Sequence, residues 1–509
     1  MLERPLRVLM ISAEVETFAR TGGLGDVVLA LSCALGDHGL EVLVVTPRYG
    51  VTKVPASAKW WWSPVHARVG WGASDVRELG VLEAQLPGSM GTSTAGGVRV
   101  CLLANDELFS RAGIYGDAHG SFGDNATRFA TLSRAALSVA ERVWGRVDDG
   151  GGPDIIHAHD WHAALAVVYA KLVMGDAWRA RPSVFTIHNL AYQGVMGTSE
   201  LDALGIPREA YARGWLAHQG NVNLMKGAIE LADRVTTVSE TYANEIRGPQ
   251  EGYGLDAHLR WHSSKLTGIV NGIDTRSFDP ASDPALVRRY DARDVRDGKR
   301  ECNRALLAES GLDGDLDAPL FASVSRLTSQ KGIDLLAAIV PALVDRGARF
   351  LFVGQGDDDL ERALREAARR FRGRVATKIA FDPQLARRIF AGTDFLVVPS
   401  RYEPCGLTQL YAMRYGAIPV VTPVGGLRDT VTSLDAARST GTGIVAQSAS
   451  VHALLVACED ALGAYRDRVA WPSLIGRAMA RDSSWETSAE KYIALYRGLG
   501  AHPRRDSAG

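Results

Sequence analysis

Short apolar runs alternate along the chain with longer stretches in which apolar residues recur every three or four positions. Arg7–Ile11, Glu41–Thr46, Val98–Leu103, Ile155–His157 and Ser183–Ile187 predict strands. Gly25–Leu35, Ala126–Trp144 and Trp161–Val173 predict helices between them. Buried strands that alternate with helices predict a parallel sheet covered on both faces. The pattern restarts past the middle of the chain. Phe321–Val324, Arg349–Val353, Val375–Ile379, Phe395–Val398 and Ile418–Val421 are again short and apolar, with helical patterns at Asp334–Arg346, Asp358–Phe371 and Leu407–Tyr415. Two successive series of similar size predict an α/β protein of two Rossmann-like, doubly wound domains.

The join falls near Leu266–Asp279, where Asn271-Gly272 is a turn signal and Asp279-Pro280 a breaker. Arg260–Lys265, just before it, reads as polar and irregular. This predicts a first domain over 1–265, a second over 266–483, and a C-terminal segment over 484–509. The segments Gly50–Gly97 and Pro280–Pro319 read as loops and insertions, and the tail His502–Gly509 as frayed. Ligands of open α/β sheets bind beyond the carboxyl ends of the strands. Two such edges are therefore expected to face each other across a deep cleft.

Composition narrows the function classes. With 57 Lys+Arg against 58 Asp+Glu the net charge is -1, which leaves no basic surface for a nucleic-acid backbone. Apolar residues make up 46% of the 509 residues, ample for large cores. Cysteines at 33, 101, 302, 405 and 458 are odd in number and include no CxxC pair, so neither a disulfide framework nor a zinc ribbon is expected, and a reducing cytoplasm fits best. The apolar run Val8–Ser12 is too short for a signal peptide, and no stretch is long enough to span a membrane. Glycine is in surplus, with 53 residues clustered in short runs, which predicts tight turns and close backbone approach to ligands.

Five stretches carry candidate chemistry. Arg20-Thr21-Gly22-Gly23-Leu24-Gly25-Asp26 follows the first strand and opens a helix. Paired glycines and free helix N–H groups suit a phosphate, and Arg20 adds charge, although a plain strand-to-helix turn has the same look. The run is not GxGxxG, and no acidic residue ends the second strand, so a nicotinamide dehydrogenase is disfavoured. His157-Ala158-His159-Asp160-Trp161-His162 ends an apolar run. Its histidines invite a metal reading, but there is no HExxH, and an Asp at a strand end more readily holds sugar hydroxyls or orients a neighbour. His188, in Phe185-Thr186-Ile187-His188-Asn189-Leu190, ends a strand and is either a ligand contact or a structural histidine. In Ser325-Arg326-Leu327-Thr328-Ser329-Gln330-Lys331-Gly332, two cations five residues apart can converge on one diphosphate or form a solvated pair. In Pro399–Thr408, Glu403 stands after a strand, and the amides of Gly406, Leu407 and Thr408 open a helix toward an anion. Gly425-Gly426 follows as another place of close approach, and Cys405 reads as a small buried thiol, with no base beside it.

Together TGGLGDV, HAHDWHAAL, FTIHNLAYQG, VNGID, SRLTSQKG and EPCGLTQLYAM resemble the bacterial glycogen synthase and plant starch synthase family over nearly the whole chain, in the right order. The resemblance implies a GT-B fold, two facing Rossmann-like domains. It also implies retaining transfer of glucose from a nucleotide sugar, ADP-glucose in the bacterial pattern, to the non-reducing end of an α-1,4-glucan such as glycogen. No cofactor and no metal are implied. Residue by residue, Arg326 and Lys331 are expected at the diphosphate, His188 and Asp160 beside the transferred glucose, and Glu403 at its hydroxyls. The amides of Cys405, Gly406, Leu407 and Thr408 are expected at glucose and phosphate, Gly22 and Gly23 at the pyrophosphate, and Asn223 at a further sugar position. Arg20 and Asp26 share the substrate loop, and Phe381 falls where the family stacks a ring on adenine. The C-terminal helix near Trp485–Tyr496 is expected to cross back onto the first domain.

Three departures stand out. Arg20 replaces the usual Lys, Phe381 replaces the usual Tyr, and Tyr411 stands where wider retaining transferases carry a second Glu. The weighed alternatives are a sucrose or trehalose-phosphate type transferase, which EPCGLTQ disfavours, and a silent glucan-binding protein, which would be expected to lack Arg326, Lys331 or Glu403. Oligomeric state and regulation leave no mark in the sequence.

Overall fold

The computed structural model describes residues 4–72, 74–86, 97–380 and 382–500. Phe381 and the tail His502–Gly509 lie outside the described residues. The chain divides into two compact units, one holding Met1–Val238, Ala243–Ile269 and the segment from Trp485, the other Ser239–Tyr242 and Val270–Ser484.

Among the described residues, the sheet of the first unit runs in the order Leu266–Gly268, Arg234–Thr237, Ser183–Ile187, Ile155–His159, Arg7–Ile11, Glu41–Pro47, Gly97–Ala104. All of these pair in parallel. Beyond Gly97–Ala104 the strand Val76–Gln85 turns antiparallel and carries Lys59–Trp60 and Val65–Arg68 on its free side. The central strand Arg7–Ile11 explains the parallel arrangement. Val8, Leu9, Met10 and Ile11 are all 0% exposed, so both faces are covered and the run carries no polar alternation. The helix Gly23–Asp37 buries Leu24, Val27, Val28, Leu31 and Leu35 against this sheet. The helix Trp485–Gly498 adds Trp485, Tyr492 and Tyr496 to the same core, and Tyr496 Oη meets His157 Nδ1 at 2.8 Å.

The second unit repeats the plan with an all-parallel sheet ordered Val375–Lys378, Arg349–Val353, Leu320–Val324, Phe395–Val398, Ile418–Val421, Ile444–Val445. Phe321 stacks on Phe350 and Phe395 across three adjacent strands, with ring centroids 5.4 and 4.7 Å apart. Such pairs contribute about 0.5–1.5 kcal/mol each beyond their burial.

Three segments differ from the sequence reading. The first sheet does not end at residue 265, because Leu266–Gly268 pairs with Arg234–Thr237 and completes its edge. A three-residue edge strand carries too few side chains to leave a pattern. Within Gly50–Gly97 lies the ten-residue strand Val76–Gln85, whose alternation is interrupted by Gly80 against the Trp60 ring. Within Pro280–Pro319 lies the helix Val295–Ser310. Its buried face mixes Cys302, Leu306 and Leu307 with the polar Lys299 and Asn303, so its apolar stripe is interrupted. Lys299 is 7% exposed and donates to the carbonyls of Phe390, Ala391 and Tyr415, and Asn303 donates to that of Gly392.

Burial pushes the Lys299 ammonium down to about 8. Lys299→Met would leave its share of those three buried carbonyls without a donor. We expect a loss of about 1–3 kcal/mol, read as a lower thermal midpoint of the full chain. An unchanged midpoint would show that the carbonyls do not depend on the ammonium.

Candidate active site

In the first unit the motif residues stand at the carboxyl ends of three adjacent strands, Ser183–Ile187, Ile155–His159 and Arg7–Ile11. The strand Ile155–His159 passes into the helix Asp160–Leu172 with no residue between. Asp160 makes this joint at φ 56°, a left-handed backbone that a non-glycine residue adopts at a cost. Its Oδ1 accepts from the backbone N–H of His188 at 2.8 Å and more distantly from that of Asn189. Asp160 thus fixes the first residues after the neighbouring strand. Burial pushes its carboxyl up to about 7, against the pull of those two amides.

The histidines form a chain rather than a convergent cluster. His157 uses both ring nitrogens, on Tyr496 Oη and on Thr186 Oγ1 at 2.6 Å. His159 Nδ1 meets His188 Nε2 at 2.9 Å. His162 stacks on Tyr115 at 4.6 Å. Burial pushes His157, His162 and His188 down to about 3 and His159 downward as well. All four rings are therefore neutral at physiological pH and can act only as hydrogen-bond partners.

The glycine loop has a different construction from a bare anion nest. Glu14, 3% exposed, accepts from Thr21 N at 2.5 Å, Thr21 Oγ1 at 2.9 Å, Gly22 N at 3.1 Å and Tyr115 Oη at 2.5 Å. Sequence reading passed over Glu14 and Tyr115; the signal for Glu14 was an acid between the first strand and the glycines. Arg20 is held by two carboxylates, Glu16 at 2.7 Å and Asp26 at 2.8 Å. Burial pushes Asp26 up to about 6 despite Arg20. A Cβ on Gly22 or Gly23 would meet nothing within 4 Å, whereas one on Gly25 would come within 3.0 Å of Glu16 N. Internal packing therefore explains Gly25 but not Gly22 and Gly23.

Asn223 is 0% exposed. It caps the helix Leu224–Leu231 through Lys226 N and donates to Gln193 Oε1 at 2.6 Å. The side chain expected at a sugar thus makes its hydrogen bonds inside the unit. Gln193 lines a cavity of about 480 Å³ with Trp161, Tyr192, His218, Asn221 and Tyr253.

In the second unit Arg326 and Lys331 follow the strand Leu320–Val324, and Glu403 follows its neighbour Phe395–Val398. Lys331 Nζ lies 2.5 Å from Glu403 Oε2, and Ser400 Oγ donates to the same oxygen at 3.0 Å. Both bonds fall on Oε2. Arg326 is exposed, and among the described residues its hydrogen bond is a long one to Gln330 at 3.5 Å. The helix Thr408–Arg414 starts after Leu407 without a side-chain cap. Cys405 is buried, and burial pushes its thiol up to about 12, despite a hydrogen bond from Asn271, so it is no nucleophile at neutral pH. Tyr411 stacks on Phe278 at 4.0 Å and serves packing.

Gly425 and Gly426, read above as a place of close approach, have an internal cause, and so does Gly332. A Cβ on Gly425 or Gly426 would overlap the carbonyl oxygens of Glu403 or Cys405, and one on Gly332 that of Pro399. They let the chain pack backbone against backbone under Glu403. Gly332 at φ 66° and Gly406 at φ 70° also need a left-handed backbone.

The first half of the chain, residues 7–261, matches the family model of the starch synthase catalytic domain, and residues 318–463 match that of the glycosyl transferases group 1. The chain is 42% identical to a glycogen synthase of Anaeromyxobacter sp., over 97% of this chain and 100% of that one. It is 39% identical to glycogen synthase 2 of Geobacter sulfurreducens, over 98% and 100%. This chain belongs to the starch and glycogen synthase family of glycosyltransferases. Its fold is GT-B. The catalytic domain of starch synthase IV from Arabidopsis thaliana, bound to ADP and acarbose, superimposes with a TM-score of 0.86 at 32% identity, covering 98% of this chain and all of that one. Sucrose-phosphate synthase of Thermosynechococcus elongatus shares the fold alone, with a TM-score of 0.59 at 19% identity. No helix among the described residues is long and apolar enough to cross a membrane.

Two outcomes follow for this family member. Gly22→Ala should leave stability within about 0.5 kcal/mol yet lower transferase activity, while Gly332→Ala should lower the thermal midpoint by several degrees. Similar thermal midpoints for the two would contradict the packing argument. Asp160 stays protonated in the folded chain up to about 7 while the unfolded chain ionises near 3.8. Its contribution to stability therefore falls as pH rises from about 4 to about 7. The carboxylate is also the better acceptor for the His188 amide, so activity should rise with pH through about 7, and Asp160→Asn should abolish that limb in a pH–rate profile.

Proposed function

We propose that the chain transfers glucose from ADP-glucose to the non-reducing end of an α-1,4-glucan, glycogen in the cytoplasm, with retention at the anomeric carbon. The observation that carries this reading is the Lys331–Glu403–Ser400 cluster beside exposed Arg326 at the carboxyl ends of two adjacent strands. Two cations there can take up the charge of a departing diphosphate, the planar fork of Arg326 binding two oxygens and Lys331 acting as a point charge. Glu403, with Oε2 held, binds sugar hydroxyls and supports positive charge on the sugar. The amides from Cys405 to Thr408 meet glucose and phosphate. In the first unit, His188, held by Asp160 and His159, offers its neutral ring to the transferred glucose. Gly22 and Gly23 admit the pyrophosphate, with Arg20 and Asp26 at the loop edge. Phe381 stacks on the base.

The chemistry we favour is front-side displacement. The bond from anomeric carbon to diphosphate oxygen breaks, the acceptor hydroxyl attacks from the same face, and its proton passes to the departing phosphate. Glu403 attacks no carbon. A glucosylated Glu403 in a mass spectrum would rule this out. The ADP bound to the plant starch synthase and the likeness to bacterial glycogen synthases support the donor and acceptor.

The purified enzyme with glycogen should release nucleotide faster from ADP-glucose than from UDP-glucose. Turnover with neither would overturn the assignment. Lys331→Ala should lower kcat by far more than it raises KM, since leaving-group charge develops in the transition state. An effect confined to KM would contradict the role given to Lys331.

A further inference from the structure

One cluster of ligating side chains lies apart from the residues placed at the substrates. Glu230 stands near the end of the helix Leu224–Leu231, and His258 and His262 stand four positions apart on and just after the short helix Asp256–Trp261. Each offers one ligand atom, and the three atoms lie within 4.8 Å of one another. His262 Nε2 is 2.9 Å and His258 Nε2 3.6 Å from Glu230 Oε2. We propose that Glu230, His258 and His262 bind one divalent transition-metal ion, zinc in preference to magnesium or calcium, as a clamp between these two helices.

Three observations carry this. First, the spacing fits. Zinc bonds of about 2.0–2.1 Å in a tetrahedron set donor atoms roughly 3.3 Å apart, and the two measured separations lie on either side of that. Second, His258 Nε2 is buried without a hydrogen-bond partner. A buried, unpaired ring nitrogen is a cost that a metal bond would remove. Third, the Lys226 backbone hydrogen-bonds the His258 ring, and since Nε2 is the unpaired nitrogen, that bond falls to Nδ1. A backbone carbonyl on the far nitrogen is how metal-binding imidazoles are commonly oriented. The donor set of two imidazoles and one carboxylate suits zinc, whereas magnesium and calcium require oxygen ligands. Lys226 and Lys265 lie near Glu230 and oppose any cation, which further disfavours a weakly held hard ion. A fourth position is left for water.

The clamp would join the helix capped by Asn223 to the segment carrying Tyr253, whose φ of 46° is strained. Its role is structural, since nothing in the cluster is placed at the sugar.

The test uses the full chain, stripped with a chelator and titrated with cobalt(II). Visible d–d bands of tetrahedral intensity should saturate at one ion per chain and disappear on addition of one equivalent of zinc. Zinc alone should raise the thermal midpoint, and a chelator should reverse the rise. His258→Gln and His262→Gln should each weaken zinc binding at least about tenfold, the scale on which even outer-shell substitutions act. Transferase activity of the stripped wild type should persist. Absence of cobalt bands in the folded wild type would overturn the proposal, even if a variant fails to fold. Zinc binding unchanged in both variants would overturn it equally.

Discussion

In a parallel sheet the chain must return through a helix after every strand, so every strand ends on the same edge. Each candidate substrate residue that follows a strand in this protein depends on that constraint. Asp160, His188 and the glycine loop follow three neighbouring strands of one sheet, and Arg326, Lys331 and Glu403 follow two neighbouring strands of the other. Residues over a hundred positions apart in sequence meet because the sheet order, not the chain order, sets their spacing. The buried central strands hold that order in place, with the four residues Val8 to Ile11 wholly removed from water.

What was legible in the sequence was what this constraint writes as apolar runs. Buried parallel strands such as Arg349–Val353 and Phe395–Val398 have no polar alternation and stand out at once. The helix Val295–Ser310 was harder to read for the opposite reason: it buries Lys299 and Asn303 against free carbonyl ends beside Cys302, Leu306 and Leu307, so polar residues interrupt the apolar stripe on its inner face. Glycines were legible as turns, but their causes were not. The same Gly-Gly spelling covers open backbone at 22–23 and chain-on-chain packing at 425–426, and only the position of a missing Cβ separates them. The Glu230, His258 and His262 cluster was invisible because its third member comes from a different helix, and the segment around it reads as irregular polar chain.

Charge is distributed with a purpose in both units. Arg20 is balanced by two carboxylates, so the loop it stands on carries no net positive charge before substrate arrives. Among the described residues Arg326 has no carboxylate partner, and it is exposed. Lys331 is tied to Glu403, which keeps a half-buried ammonium solvated by a carboxylate and holds that carboxylate in one orientation. The buried histidines are silenced by desolvation and serve as rigid polar spacers.

The joint at Asp160 has a consequence for how this protein can change over time. A strand that becomes a helix with no residue between leaves no loop to lengthen. One inserted residue would rotate the helix by about 100° and carry Trp161 and His162 off the faces they now occupy. Insertions and deletions, the ordinary route by which α/β enzymes acquire new substrates, are closed at this edge. Diversification here must proceed by exchanging side chains on a fixed backbone, or must come from the longer connections elsewhere in the chain.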